Sequence, residues 1–263
     1  MRSAGATFSN LHLFPAESVQ PHVDGAPPQP YPPGLTLSSC GGKLSREEVA
    51  ARRGALAKAL QLPLSRLRFL RQVHGTSVIQ VATPGRDQNG WAEADGGLDP
   101  EGDAMVTNAP NVVLCVLMAD CAGVLLYDPV QQAVGAAHSG WRGTQANVVR
   151  HTLHKMQECY GTDPTKVHAW ISPCASGKAY EVGEEVATLF GMEPGVVTPR
   201  ADGEEKFWLD IPLKLRRQLE MAGLQPQNIW SSPRCTITGT NFHSHRRDGE
   251  SAGRGAAFIA LAG

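Results

Sequence analysis

One cysteine and two histidines are the residues of this chain whose types and spacing suggest chemistry. Cys121 stands just before one apolar β-like run and His138 ends the next, with Asp128-Pro129 as the turn between them. Antiparallel pairing of the two runs would bring thiol and imidazole to the same end of a sheet, beside the glycines of His138-Ser-Gly-Trp-Arg-Gly143. His74, in Arg71-Gln-Val-His-Gly75, again closes a β-like run and precedes a glycine. Such a set supports a Cys/His nucleophile pair or a metal centre. Cys, His and His leave a tetrahedral ion one ligand short, the pattern of a catalytic zinc rather than a closed structural one. Taken singly, each of the three fits better as a packed or hydrogen-bonded structural residue. Their convergence at glycine-bounded strand ends is what singles them out.

Other residues could serve the same site. Asp120, beside the thiol, could orient a ligand histidine, act as a base, or simply shape a turn. Asp103 has the same two sides, supporting a ligand or capping a loop. Ser139-Gly-Trp-Arg-Gly-Thr144 runs into an expected helix at 144–160. The first N–H groups of that helix, with Ser139, Gly140 and Arg142, would receive an anion. Trp141 either stacks on a base or fills the core. Ser244-His-Arg-Arg-Asp-Gly249 concentrates Arg246 and Arg247, whose forks suit phosphate or carboxylate, although a solvated turn paired with Asp248 reads the same. His243 and His245 alternate as on one strand face, a candidate second metal site. His151 and His154 lie off the apolar stripe of their helix and are expected to face solvent.

The elements that must position these residues are legible in outline. Ser45-Arg-Glu-Glu48 is a capping box opening a helix that stops before Pro63. Strands are expected at 67–73, 77–82, 104–107, 112–118, 167–171, 207–210, 229–231 and 256–261, with further helices at 183–190 and after Asp210, its N-cap. Five prolines make 26–34 extended, 34–39 reads as a short strand, and 83–102 is a polar, glycine-rich loop. The mixture argues for one α+β domain with a mixed sheet. Its 263 residues suffice for a sizeable core, and a net charge of −1 offers no field for nucleic acid. No run approaches a membrane span, the N-terminus lacks a signal-peptide pattern, and the six cysteines have no pairing rhythm. A cytoplasmic protein with reduced thiols is expected, without nucleic-acid or membrane partners.

Six segments in order, Gln72-Val-His-Gly75, Asp103-Ala-Met-Val-Thr107, Ala119-Asp-Cys121, Ala137-His-Ser-Gly-Trp-Arg-Gly143, Tyr180-Glu-Val-Gly-Glu-Glu-Val186 and Ser244-His-Arg-Arg-Asp-Gly249, resemble the YfiH-like family. That family carries the label multicopper polyphenol oxidase (laccase) domain, and includes zinc-dependent purine nucleoside phosphorylases and the peptidoglycan editing factor. The resemblance runs from about Leu67 to the C-terminus. It implies a single α+β domain at 44–263, mixed sheets layered with helices in a sandwich like that of cytotoxic necrotizing factor, with 1–43 as an N-terminal segment lying on it. It carries His74, Cys121 and His138 onto the family's zinc ligands. It implies phosphorolysis of adenosine-type nucleosides with deamination as a second activity, and nucleoside and phosphate as partners; the residues themselves offer Asp120, Arg142 and Arg246 as catalytic candidates. Where the family often has a Gly-Pro-rich stretch, this chain reads Ile171-Ser-Pro-Cys-Ala-Ser-Gly-Lys-Ala179, so Cys174 and Lys178 stand at the pocket wall.

Three other readings compete. A four-copper oxidase needs roughly ten histidines with paired HxH motifs; this chain has nine histidines and a single HxH, leaving weak phenol oxidation at an adventitious copper. Peptidoglycan-precursor editing by amide hydrolysis is also compatible with zinc. A binding protein with a structural zinc is the non-enzymatic reading, and the open fourth position speaks against it.

Overall fold

The structure, a computed structural model, describes residues 6–11, 45–82, 99–201 and 205–262. The expected strand at 34–39, the extended segment 26–34 and most of the loop at 83–102 lie outside the described residues.

Apolar runs that alternate between two covered faces build two large sheets. The first contains β1 (Ala6–Leu11), β2 (Leu67–Arg68), β5 (Val113–Met118) and β13 (Gly255–Leu261), in the order β1-β13-β5-β2. The second has six strands: β3 (Val78–Gln80), β4 (Ala104–Thr107), β6 (Ala122–Asp128), β7 (Ala133–Ser139), β8 (His168–Ile171) and β12 (Ile229–Ser231), ordered β12-β8-β6-β7-β4-β3. Both mix parallel and antiparallel pairs. A third, three-stranded sheet joins β9 (Glu181–Gly183), β10 (Val197–Pro199) and β11 (Lys206–Leu209).

The two large sheets face each other. Leu114, Val116, Met118, Ala257 and Ile259 meet Met105, Leu125, Val134, Ala136 and Trp170 in one buried cluster. The neighbouring residues along the same strands point the other way, as period two requires. Val113, Cys115, Leu117 and Phe258 pack beneath helix α1 (Arg46–Ala59), through Leu56 and Ala57. Val106, Val124, Leu126 and Ala137 pack beneath α3 (Val148–Tyr160) and α5 (Ile211–Met221), through Val149, Leu153, Met156, Ile211, Leu215 and Leu219. The result is four layers: helix, sheet, sheet, helices. Each fully buried Leu or Met contributes about 1.5–3 kcal/mol, so a core of this extent holds the sheet ends rigidly.

Local signals placed several elements as expected. Ser45 accepts from the Glu48 N–H at 3.2 Å while Glu48 accepts from Ser45 at 2.7 Å. Asp210 accepts from the Leu213 N–H at 2.9 Å and opens α5. Two expectations change. The strand at 67–73 shrinks to β2, after which the chain leaves the sheet. The helix at 144–160 is two helices: α2 (Trp141–Gln145) ends at Ala146, and Asn147, at φ 61, reverses the chain before α3. A left-handed residue cannot continue an α-helix. β1, pairing with β13 along six residues, was not anticipated.

The sheets pack tightly at Gly123, where a Cβ would lie 2.6 Å from the Ala257 Cβ and 2.7 Å from the Met118 Sδ. Met118 can move, but Ala257 is fixed to its strand. Gly123→Ala is therefore expected to destabilise the fold by about 1–3 kcal/mol, read as a lower melting temperature. A melting temperature equal to the parent's would show that the sheets are not in contact there.

Candidate metal centre

The β6–β7 hairpin is paired in the register Ala122↔Ser139 and Gly123↔His138. That register sets Cys121, one residue before β6, beside His138 at the end of β7. His74 arrives from a separate loop between β2 and β3. The donor atoms of His74, Cys121 and His138 all lie within 4.8 Å of one another. His74 Nε2 is 4.0 Å from Cys121 Sγ, and the two imidazoles meet edge to face at 4.9 Å. Bonds of ~2.0 Å to nitrogen and ~2.3 Å to sulfur would draw such a set together with small side-chain shifts. His138 is buried, Cys121 half-buried and His74 exposed, so the cluster opens to solvent on one side. It is the one group of three such donors among the described residues.

Asp103, fully buried at the start of β4, holds this arrangement. Its carboxylate accepts from His138 Nδ1 at 2.9 Å, from the His74 N–H at 2.9 Å and from the Gly75 N–H at 2.7 Å. A carboxylate that only accepts assigns the proton to Nδ1 and leaves Nε2 for Cys121. His74 itself sits at φ 61, a conformation unusual outside glycine. Burial pushes the Asp103 carboxyl up, but the bonds from His138 and Gly75 outweigh it and hold the group ionised. Burial likewise works against the Cys121 thiolate, yet His138 and His74 prevail and bring the thiol well below its ordinary value. His138 moves the opposite way: burial lowers it, while Cys121 and Asp103 raise it further.

Gly140 closes the other side. A Cβ there would stand 2.9 Å from Cys121 Sγ and 3.1 Å from the His74 ring. Gly140 also precedes α2, which has only five residues, so a long helix dipole does not point at the site. Ser139 is buried, its hydroxyl 2.8 Å from that of Thr144. Arg142 lies exposed with its guanidinium 4.3 Å above the Trp141 ring, whose flank packs on the core.

Asp120 binds neither histidine; the orienting carboxylate is Asp103. At φ 86, Asp120 accepts from Thr236 Oγ1 at 2.7 Å and from the Arg246 N–H at 2.6 Å. This fastens the C-terminal loop next to the thiol. Arg246 and Arg247 then diverge. Arg247 donates from all three nitrogens, to both Asp248 carboxylate oxygens and to the carbonyls of Thr236, Gly239 and Phe242, which leaves none for an anion. Arg246 donates through Nη1 to the Glu181 carbonyl at 2.7 Å and lies 5.0 Å from the Tyr180 ring centre. Tyr180 is the residue that reading the sequence passed over, although it heads a quoted motif. Its phenol lies within the fields of Cys121, Arg246, Asp120 and Arg142, and burial first, then Cys121, push it up to about 12. His243 and His245 do not share a strand face, because Ser244 caps α6 (His245–Asp248) and turns the chain. Cys174 is buried, a free thiol whose backbone pairs with that of Cys235, and Lys178 is exposed. His151 and His154 face solvent.

The profile of the family described as multi-copper polyphenol oxidoreductase laccase matches residues 34–262. The chain belongs to that family. A Deinococcus radiodurans relative named purine nucleoside phosphorylase is 38% identical over 81% of this chain and 77% of its own. An Escherichia coli relative named purine nucleoside phosphorylase YfiH is 31% identical over 91% of this chain and 90% of its own. The crystal structure of YlmD from Geobacillus stearothermophilus superposes with a TM-score of 0.77 at 28% identity, covering 99% of this chain and 92% of that one. YfiH of Bacillus licheniformis gives 0.77 at 29%, covering 86% and 85%. The single-domain α+β architecture agrees with these neighbours. No helix among the described residues is long and apolar enough to cross a membrane.

The electrostatics predict thiol behaviour. After chelator treatment, iodoacetamide should label Cys121 at pH 7 at near its plateau rate, where an ordinary thiol of pKa about 8.5 is mostly protonated. Cys115 and Cys174, buried and pushed up by that burial, should stay unlabelled by mass spectrometry. Asp103→Asn should slow the Cys121 reaction, because His138 loses the charge that keeps it cationic. Equal rates in the two proteins would refute the coupling.

Proposed function

We propose that this protein is a zinc-dependent purine nucleoside phosphorylase acting on adenosine-type nucleosides, with adenosine deamination as a second activity. The observation that carries the reading is a three-donor His–Cys–His cluster flanked by two arginines, Arg142 and Arg246, that retain donors for an anion. The relatives' names point the same way. A thiolate and two neutral imidazole nitrogens suit zinc. The multi-copper description of the family asks for several coppers, and one three-donor cluster among the described residues falls short of that.

His74, Cys121 and His138 would hold the ion, which when bound supplies Lewis acidity to a substrate or water in its open position. The chain's own groups do the rest. Arg142 and Arg246 bind phosphate and offset its repulsion from Asp120 and the Cys121 thiolate. Phosphate oxygen bonds to C1′ of the ribose as the C1′–N9 bond breaks, its electron pair leaving with the purine. The Tyr180 ring lies beside the Arg246 guanidinium. Asp103 keeps His138 in one tautomer throughout.

Adenosine with phosphate should yield adenine and ribose 1-phosphate, with inosine as a second product, resolved by chromatography. Arg246→Ala should suppress phosphorolysis more than deamination, since only the former needs the anion held. Adenosine returned unchanged by zinc-loaded protein in excess phosphate would defeat the nucleoside reading. Cys121→Ser should lose zinc by elemental analysis with little change in far-UV circular dichroism; full zinc occupancy in that variant would sink the ligand assignment.

A further inference from the structure

Arg246 is exposed, and a free arginine side chain loses rotamer freedom when an anion fixes it. This one is already restrained at three points. Its backbone N–H donates to Asp120, its Nη1 donates to the Glu181 carbonyl, and its guanidinium lies 5.0 Å from the Tyr180 ring centre. The ring is itself fixed: the Tyr180 N–H donates to the Ser176 carbonyl at 2.8 Å, and the Leu209 N–H donates to the Tyr180 carbonyl at 2.9 Å. One flank of the ring packs on the main core cluster. Glu181 is held as well, paired with Trp208 in the three-stranded sheet. With Nη1 engaged, the Nε–Nη2 edge of Arg246 makes no bond among the described residues. That edge is a two-pronged donor of the geometry that oxyanions accept.

We propose that Tyr180 is a positioning residue: its ring, with the Glu181 carbonyl, seats Arg246 so that its free edge receives phosphate beside the His–Cys–His cluster. The proposal rests on the phosphorolysis reading above and adds what the small sheet is for. β9 and β11 fix the Tyr180-Glu181 step, and that step fixes the arginine. Arg142 on Trp141 repeats the device, an arginine laid over an aromatic ring. Losing the ring should weaken phosphate binding by about three- to tenfold, or about 0.7–1.4 kcal/mol, within the range a cation over a ring supplies.

The test is inorganic phosphate binding to the zinc-loaded protein by titration calorimetry, alongside steady-state kinetics. Tyr180→Leu should raise the dissociation constant and the KM for phosphate about three- to tenfold, with a smaller change in the nucleoside KM. Tyr180→Phe, which keeps the ring, should recover most of the loss. In an Arg246→Ala background, Tyr180→Leu should add nothing further. The positioning role is overturned if Tyr180→Leu binds phosphate as the parent does, or weakens it equally with and without Arg246. If Arg246→Ala weakens phosphate while Tyr180→Leu does not, only this inference falls. If the parent protein binds no phosphate, the phosphorolysis reading falls and takes this one with it.

Discussion

The buried carboxylate of Asp103 is the interaction on which the site depends. A buried charge without partners is too costly to retain, so each of its oxygens must be satisfied. They are satisfied by the groups that matter: the His138 ring and the N–H groups of His74 and Gly75. One residue thereby fixes a tautomer, stabilises a left-handed backbone at His74, and joins a loop to a strand. The field it creates passes through His138 to the Cys121 thiol. Without it, two histidines and a thiol would still be near one another, but with no common orientation.

A second carboxylate repeats the logic on the other side of the thiol. Asp120, also left-handed, ties Thr236 and Arg246 to the end of the β5–β6 connection. The two aspartates clamp loops that come from distant parts of the chain onto the same hairpin. The double sheet beneath them supplies rigidity. The close approach at Gly123 leaves the hairpin no freedom to tilt, and α3 and α5 cover its far side.

What could be read from sequence follows the range of the interaction. The capping box at Ser45 and the cap at Asp210 involve partners three residues away, and both were legible. The hairpin was legible because apolar runs and an Asp-Pro turn specify it locally, and with it came the meeting of Cys121 and His138. The work of Asp103 was not, because its partners lie about thirty residues off and a buried acid looks in sequence like any strand-edge aspartate. Arg246 and Arg247 are adjacent and chemically identical, and only tertiary contacts commit one to carbonyls and leave the other an open edge. The break at Asn147 was hidden because the apolar stripe begins only at Val149, and no glycine or proline in 144–147 marks an end there. β1 and the seat at Tyr180 depend on pairings across most of the chain.

The origin of the three cluster residues bears on how the molecule comes together. Cys121 and His138 belong to one hairpin, whose closure involves a short loop and a modest entropy loss. His74 stands 47 positions before the thiol and reaches it only once β4 has docked against β7 and brought Asp103 with it. Two of the three donors thus come together with a local element, while the third waits for long-range assembly. An ion captured by the first two would be held by two ligands, weakly and exchangeably. Tight retention would begin only when the sheet is complete, so metal retention would report on the last steps of folding.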